Sequence, residues 1–543
     1  MVNVGTDIDD LGGTRYHIDA SGSLNESGTL RGRTVMVKQD TESSRTFADG
    51  SNQERDRFLG YVVVEGDISD WGLWSAHYER THDKAQLDSG AWLDSEGNVI
   101  GNPDLIRDMS WAFIDNEVEN IGADFTYFIN YDWTLSTSYN YQEMSRHRFD
   151  SLPGSTSTTA TDGTYVVKPF DRHDKWKHHT FHVDLNGDFS ALGMQHQTLF
   201  GVNGKLSTYS QHRINANTQT IVPGQGTPSY PDFDADATAR RVRSESQYYG
   251  VYAHDLMTIN DQWQLLAGIR FDKNYEDDLD ADGNVEAKGV GDASAFSPKF
   301  GIIYHPAANG SIYANYSESF TPLSADVLSD GTLVRFDPEE SRQYELGTKW
   351  ELFDNDLMLT GAIFDIEKSN ILIDDYDSNN EQITTQGGKQ RHRGAEAGAQ
   401  GRIGDQWFVM ATATYLDAEY TEHDQDLKGK TPTNVPEWSS SVWTRYSVTD
   451  YTALNLGMIY QGDRWADTGN TIKMDAYTRF DAGASHQVKS GDVTWDFRFN
   501  IENLFDKEYF VGSGGSSVDN NGVLTDVHYG DERRFKFSIN AAF

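Results

Sequence analysis

Apolar and polar residues alternate with a period of two along much of this chain. In residues 343–352 the even positions are Tyr344, Leu346, Thr348, Trp350 and Leu352, while the odd ones are Gln343, Glu345, Gly347, Lys349 and Glu351. Residues 493–502 repeat the pattern, with Val493, Trp495, Phe497, Phe499 and Ile501 against Thr494, Asp496, Arg498, Asn500 and Glu502. Successive strand side chains point to opposite faces, so each segment predicts a strand with one greasy and one wet side. Tight polar clusters join some of these strands, at 25–28, 260–262, 308–310, 354–356 and 489–492, all rich in Asn, Asp, Gly and Ser. Long polar stretches join others, at roughly 40–56, 145–173, 207–240, 274–294, 323–341 and 511–532. No amphipathic helix and no interdomain linker interrupts the series. The expected fold is all-β: one large transmembrane antiparallel β-barrel of about 22 strands, with short turns at one end and long loops at the other. A sandwich or propeller predicts a more even spacing of turns.

The C-terminus strengthens this expectation. Phe535, Phe537, Ile539, Ala541 and Phe543 alternate with Lys536, Ser538, Asn540 and Ala542. The last strand of a closed sheet must pair with the first, so it cannot trail into a polar tail. Composition then removes one objection. Mean hydropathy is −0.63 and no run reaches the ~20 apolar residues of a membrane helix. A barrel needs none, because only alternate residues meet lipid. Twenty-seven Tyr and 13 Trp suit the aromatic girdles at the two membrane interfaces. The formal charge of −39 disfavours a nucleic-acid partner, which needs a basic surface, and its spread along the chain suits a solvated acidic exterior of long loops. With no cysteine, disulfides, thiolate metal sites and cysteine nucleophiles are excluded. The first residues, Met-Val-Asn-Val-Gly, form no export signal, so an exported barrel is expected to carry more sequence ahead of them.

Several stretches resemble the TonB-dependent siderophore receptors, notably the hydroxamate (ferrichrome and coprogen type) branch. They are DASGSLNESGTLRGR (19–33), QYYGVYAHDLMTINDQWQLLAGIRFD (247–272), SIYANYSESFTP (311–322) and YELGTKWEL (344–352). GKQRHRGAEAGAQG (388–401), NIENLFDKEYF (500–510) and HYGDERRF (528–535) follow in family order. The resemblance implies an outer-membrane receptor, not an enzyme. It would bind a ferric siderophore at its extracellular loops for TonB-coupled import, surrounded by outer-membrane lipid and lipopolysaccharide, as a monomer. Iron is then cargo within its chelator, with no resident cofactor. Phe543 is expected to end the terminal signal read by the outer-membrane assembly machinery. Family members also carry an N-terminal plug and a TonB box. Residues 1–543 resemble the barrel alone, so both are expected to be missing from this chain through truncation. Two alternatives are a passive outer-membrane pore and TonB-dependent uptake of another ligand, such as cobalamin or an oligosaccharide.

Candidate site residues follow from the resemblance and from position. Phe296 and Tyr529 match positions where ferrichrome-type receptors place ligand-contacting aromatics; the competing reading makes both girdle residues. Trp92, Trp111, Tyr165, Phe170, Tyr230 and Trp465 are loop aromatics that could line a concave mouth, and Arg464 could meet an anionic ligand. His178, His179 and His182 suggest a metal site. On a strand, however, His178 and His182 lie ~13 Å apart, too far to share an ion. Asp278, Asp280 and Asp282 with Gly283 begin an EF-hand-like loop, a candidate Ca²⁺ site whose twelfth position is Gly289 rather than Glu. There is no nucleophile elbow, P-loop, HExxH or dinucleotide fingerprint, so no catalytic set is expected.

Overall fold

The computed structural model describes residues 1–155, 163–222, 231, 239–279, 291–323, 326–327, 333–376, 382–423, 427–514, 518 and 522–543. Its frame is a ring of 22 strands, each antiparallel to the next. They begin with β1 (Val2–Asp9), β2 (Thr14–Ser23), β3 (Leu30–Phe47), β4 (Asn52–Ile68), β5 (Gly72–Gln86), β6 (Phe113–Phe128) and β7 (Trp133–Asp150). Next come β8 (Phe170–Ala191), β9 (Met194–Asn215), β10 (Arg240–Asn260), β11 (Trp263–Leu279), β12 (Gly291–Ala307), β13 (Gly310–Thr321), β14 (Glu339–Leu352) and β15 (Leu357–Tyr376). The ring ends with β16 (Gln382–Ile403), β17 (Trp407–Glu422), β18 (Trp438–Ser447), β19 (Thr452–Gln461), β20 (Tyr477–Ser490), β21 (Val493–Glu502) and β22 (Arg534–Ala542). β22 pairs with β1, Val4 opposite Ala541 and Ile8 opposite Phe537, which closes the cylinder. The all-β barrel expected from alternation is what forms.

Register fixes which face each residue serves. Phe271 faces Phe296, Ile269 faces Pro298, Ala267 faces Phe300 and Leu265 faces Ile302 across β11 and β12. Their partners at i±1, such as Arg270 and Asp272, point into the lumen, where Arg270 donates to Asp272 and to Asn203 of β9. The outer rows end in aromatic pairs. Trp263 and Tyr304 pack at 4.5 Å at the short-turn side, and Phe271 and Phe296 at 4.9 Å toward the long-loop side. Trp407 with Tyr446 and Tyr415 with Trp438 repeat the arrangement on β17 and β18. Eight residues separate the two levels, ~26 Å along a strand and ~20 Å once tilted, close to the apolar band of a membrane barrel.

Turn chemistry sets the short-turn rim. Leu192 and Gly193 both take positive φ, 54° and 78°, as a two-residue turn matched to strand twist requires. The long-loop rim differs from expectation in two respects: the connections after Gln86, Glu422 and Gln461 are long although none was among the expected long stretches, and some strands run further than expected. Residues 40–56 read as a loop, yet β3 and β4 run on through them to a tight turn at 48–51. The strands outlast the membrane. Beyond it neither face needs to be greasy, so alternation fades while backbone pairing continues.

Candidate ligand-binding mouth

At the long-loop rim, five connections fold on one another. Their described parts are residues 87–112, 151–155 with 163–169, 216–222, 462–476, and 503–514 with 522–533, among which short strands pair. Ala91–Leu93 joins Leu524–Tyr529, which joins Phe510–Ser513, and Tyr165–Val167 joins Gln219–Ile221. Two apolar clusters form inside. Trp92, Met109, Tyr165, Val167, Ile221 and Val523 make one; Leu93, Ala466, Ile472, Met474, Leu524 and Val527 make the other. This cap supplies most of the fully buried large side chains among the described residues.

Charged side chains staple the cap to the wall. Arg45, near the end of β3, pairs with Asp88, donates to the carbonyls of Pro103 and Leu105 at 3.1 Å each, and lies 5.3 Å from the Tyr529 ring. Arg107 covers the Trp92 ring at 4.7 Å. Asp108 is fully buried; it accepts from the Ser89 amide and the Ser151 hydroxyl, both at 2.6 Å, and so ties residues 87–112 to the connection after β7. Burial pushes its carboxyl up to about 6. Burial likewise raises the Tyr165 phenol to about 12, and its hydroxyl donates to the Arg107 carbonyl at 3.1 Å. Asn434 and Ser513 exchange hydrogen bonds of 2.9 and 3.0 Å, which ties residues 427–437 of a sixth connection to the last.

Below the cap, on the lumen side, a cavity of about 620 Å³ is lined by residues of β1–β5, β21 and β22. Arg15, Arg55, Arg57, Arg534 and Lys536 reach into it. Asp7 holds Arg15 at 2.8 Å, Asp83 holds Arg55 at 2.5 Å and Asp9 holds Arg534 at 2.9 Å. The wall offers a polar, ion-paired lining of both signs, suited to a ligand fixed by many hydrogen bonds. Alternation places these side chains inward; only register brings β1 and β22 together around them.

The structure sorts the residues singled out from sequence. Trp92, Tyr165 and Phe170 are buried, so they build the cap instead of lining a surface. Phe170 lies between the guanidiniums of Arg148 and Arg213. Arg464 is also buried, and donates to the carbonyls of Phe510 at 2.7 Å and Val511 at 2.8 Å. Phe296 takes the girdle position that was its competing reading. It is 64% exposed on the outer face at the upper girdle, away from the lumen. Trp111 packs on Phe149 at 5.0 Å. Trp465 is half-buried beneath Lys473. Tyr529 is half-buried under Arg45 with its hydroxyl enclosed and unpartnered, which keeps it beside the mouth. Tyr230, Asp280 and Asp282 lie outside the described residues, and Asp278 pairs with Ser244 near the end of β11. His178, His179 and His182 lie on β8 as expected of a strand, bonded to Ser207, Tyr139 and Ser138. Phe543 bonds back to Val2 at the closing seam.

A family model described as TonB dependent receptor-like, beta-barrel, matches residues 23–504. The ferrichrome outer membrane transporter/phage receptor of Escherichia coli is 30% identical over 90% of this chain and 68% of its own length. The probable TonB-dependent siderophore receptor PiuA of Acinetobacter baumannii is 28% identical over 89% of this chain, and the match spans 61% of that relative's length. The crystal structure of PiuA superposes on all of this chain and 81% of its own, with a TM-score of 0.84 at 21% identity. The Pseudomonas aeruginosa ferripyoverdine receptor bound to ferripyoverdine also gives 0.84, at 20% identity, over all of this chain and 71% of its own.

Proposed function

The chain belongs to the TonB-dependent receptors, as their outer-membrane β-barrel, and on that premise we propose that it serves ferric-siderophore capture and import. The long-loop rim then faces the cell exterior, and the ligand enters between cap and inner wall. The observation that carries this reading is the cap itself. A passive pore gains nothing from connections that share buried apolar clusters and are stapled by Arg45, Asp108 and Arg464. A receptor does, because a rigid mouth loses less freedom when a ligand docks.

The finer reading is a hydroxamate siderophore of ferrichrome or coprogen type. The ferrichrome transporter's identity over most of the chain and the ordered motifs from 19 to 535 support it. Tyr529 is then the aromatic offered to the chelate. Coupling to TonB and a lumen-filling plug belong to this proposal for the whole protein, in the length of the relatives that this chain does not span, with residues 1–543 as barrel. So do a monomeric state, contacts with lipopolysaccharide and a role for Phe543 in assembly.

Growth of the source bacterium on single ferric siderophores tests the function. Deletion of the gene abolishes uptake of one class, a ferric trihydroxamate; unchanged uptake of every siderophore supplied overturns the assignment. Loss of cobalamin or oligosaccharide uptake instead moves the ligand while keeping the receptor. Conductance of the chain in a planar bilayer, combined with absence of ferric-chelate binding, would support the pore.

A further inference from the structure

Above the upper girdle, β6–β10 continue into the solvent and their outward side chains become charged. Tyr139 and Tyr141 are among the last outward aromatics of β7; His147 stands six residues beyond Tyr141, ~20 Å along the strand. Register sets His147 opposite His173 of β8, and His173 opposite His212 of β9. No periodicity reveals this row, since its members are 26 and 39 residues apart in sequence.

Two of these imidazoles converge on one carboxylate. Nε2 of His147 lies 2.8 Å from Oδ1 of Asp171, and Nε2 of His173 lies 3.4 Å from the same oxygen. The rings stack at 4.1 Å, tilted by only 15°, and the three ligand atoms lie within 4.8 Å of one another. Phe113 sets its ring edge-on to His147 at 4.9 Å and fixes its orientation. The stacking brings one nitrogen of each ring to the same carboxylate oxygen, so the two nitrogens and that oxygen can face a shared cation. A tetrahedral Zn²⁺ with bonds of ~2.0–2.1 Å spaces its ligand atoms about 3.4 Å apart; the His173–Asp171 separation of 3.4 Å matches this, and the His147–Asp171 separation of 2.8 Å is shorter by about half an ångström.

We propose that His147, His173 and Asp171 form a binding site for a borderline transition-metal dication, of which Zn²⁺ is the type, on the outer wall above the membrane. The three donors sit on paired strands, so little ordering is needed on binding. Adjacent positive charge is partly offset, since Lys175 is bound to Glu143 at 2.6 Å and Asp115 to His82 at 2.8 Å. His147 and His173 line a cavity of about 770 Å³, from which an external ligand can complete the shell. The site is separate from the mouth, and its failure leaves the transport reading untouched.

Calorimetric titration of Zn²⁺ into the untagged, detergent-solubilised chain tests this. The chain has 16 histidines, so variants must locate any binding. Expected is one saturable ion per chain, with affinity reduced at least about tenfold in His147→Ala and in Asp171→Asn and retained in His178→Ala, whose side chain points inward. Co²⁺ in place of Zn²⁺ should give the visible bands of a tetrahedral site, absent from His173→Ala. Heat-dependent gel mobility confirms that each variant is a closed barrel. Absence of saturable binding, or equal affinity in His147→Ala and the parent chain, overturns the proposal.

Discussion

The barrel wall and the loop cap bury their apolar residues by opposite means. On the wall, Phe300, Ile363 and Leu346 are about half exposed to the surroundings, and what they touch outside is lipid. In the cap, Trp92, Met109 and Leu524 are enclosed by protein, as in a small soluble domain. Polar groups are inverted likewise. The wall sends Arg270 and Asp272 inward to a wet lumen, whereas the cap seals Asp108 in its interior. Water, lipid and protein thus impose three different rules on one chain, and position along each strand decides which applies.

The comparison can be broken from either side. The largest effect is expected from Trp92→Ala, which empties the centre of the first cap cluster and costs about 3–5 kcal/mol. Because the wall does not share that cluster, hydrogen exchange should rise across 87–112 and 523–527 while the barrel strands stay protected. Loss of protection throughout would show cap and wall to be one cooperative unit. Next comes Phe300→Arg, midway between the two girdles on the lipid face. It is expected to cost about 2–4 kcal/mol in denaturant unfolding from lipid, with cap exchange unchanged.

The third prediction concerns pH. Burial raises the Asp108 carboxyl from 3.8 to about 6, so the closed cap favours the protonated form. An opened cap releases it to ionise near its ordinary value. Cap closure is therefore strongest below about pH 4, weakens as pH rises toward about 6, and is level above, by about 2–3 kcal/mol in all. Amide exchange of Ser89 and Met109, corrected for intrinsic rates, should show this fall, and Asp108→Asn should flatten it. A rise in protection over the same interval would contradict the assignment. The smallest effect is expected from Arg393→Ala, which removes an exposed outer ion pair with Asp417 at 2.8 Å and should change unfolding by less than about 1 kcal/mol.

Much of the fold was legible because the membrane enforces it. Tyr344 to Leu352 and Val493 to Ile501 must alternate, since one face meets lipid and the other water, and Phe535 to Phe543 must end a strand that closes on the first. The mouth was less legible. Trp92, Tyr165 and Phe170 were visible as loop aromatics, but nothing local distinguishes an aromatic that waits for a ligand from one that packs on another loop. Phe296 sits at the end of an alternating strand, and the parity that sends it outward is fixed by its pairing with Phe271. Arg45, Asp108 and the row of His147, His173 and His212 carry no motif at all.

By itself, then, the sequence determined the strand count, the turn and loop ends and the two-faced character of the wall, because these follow from a period shorter than any contact. Tertiary structure alone decided which loops share a core, which arginines are stapled and which histidines meet. Those depend on register between strands and on contacts between distant connections, and neither leaves a local trace in the order of residues.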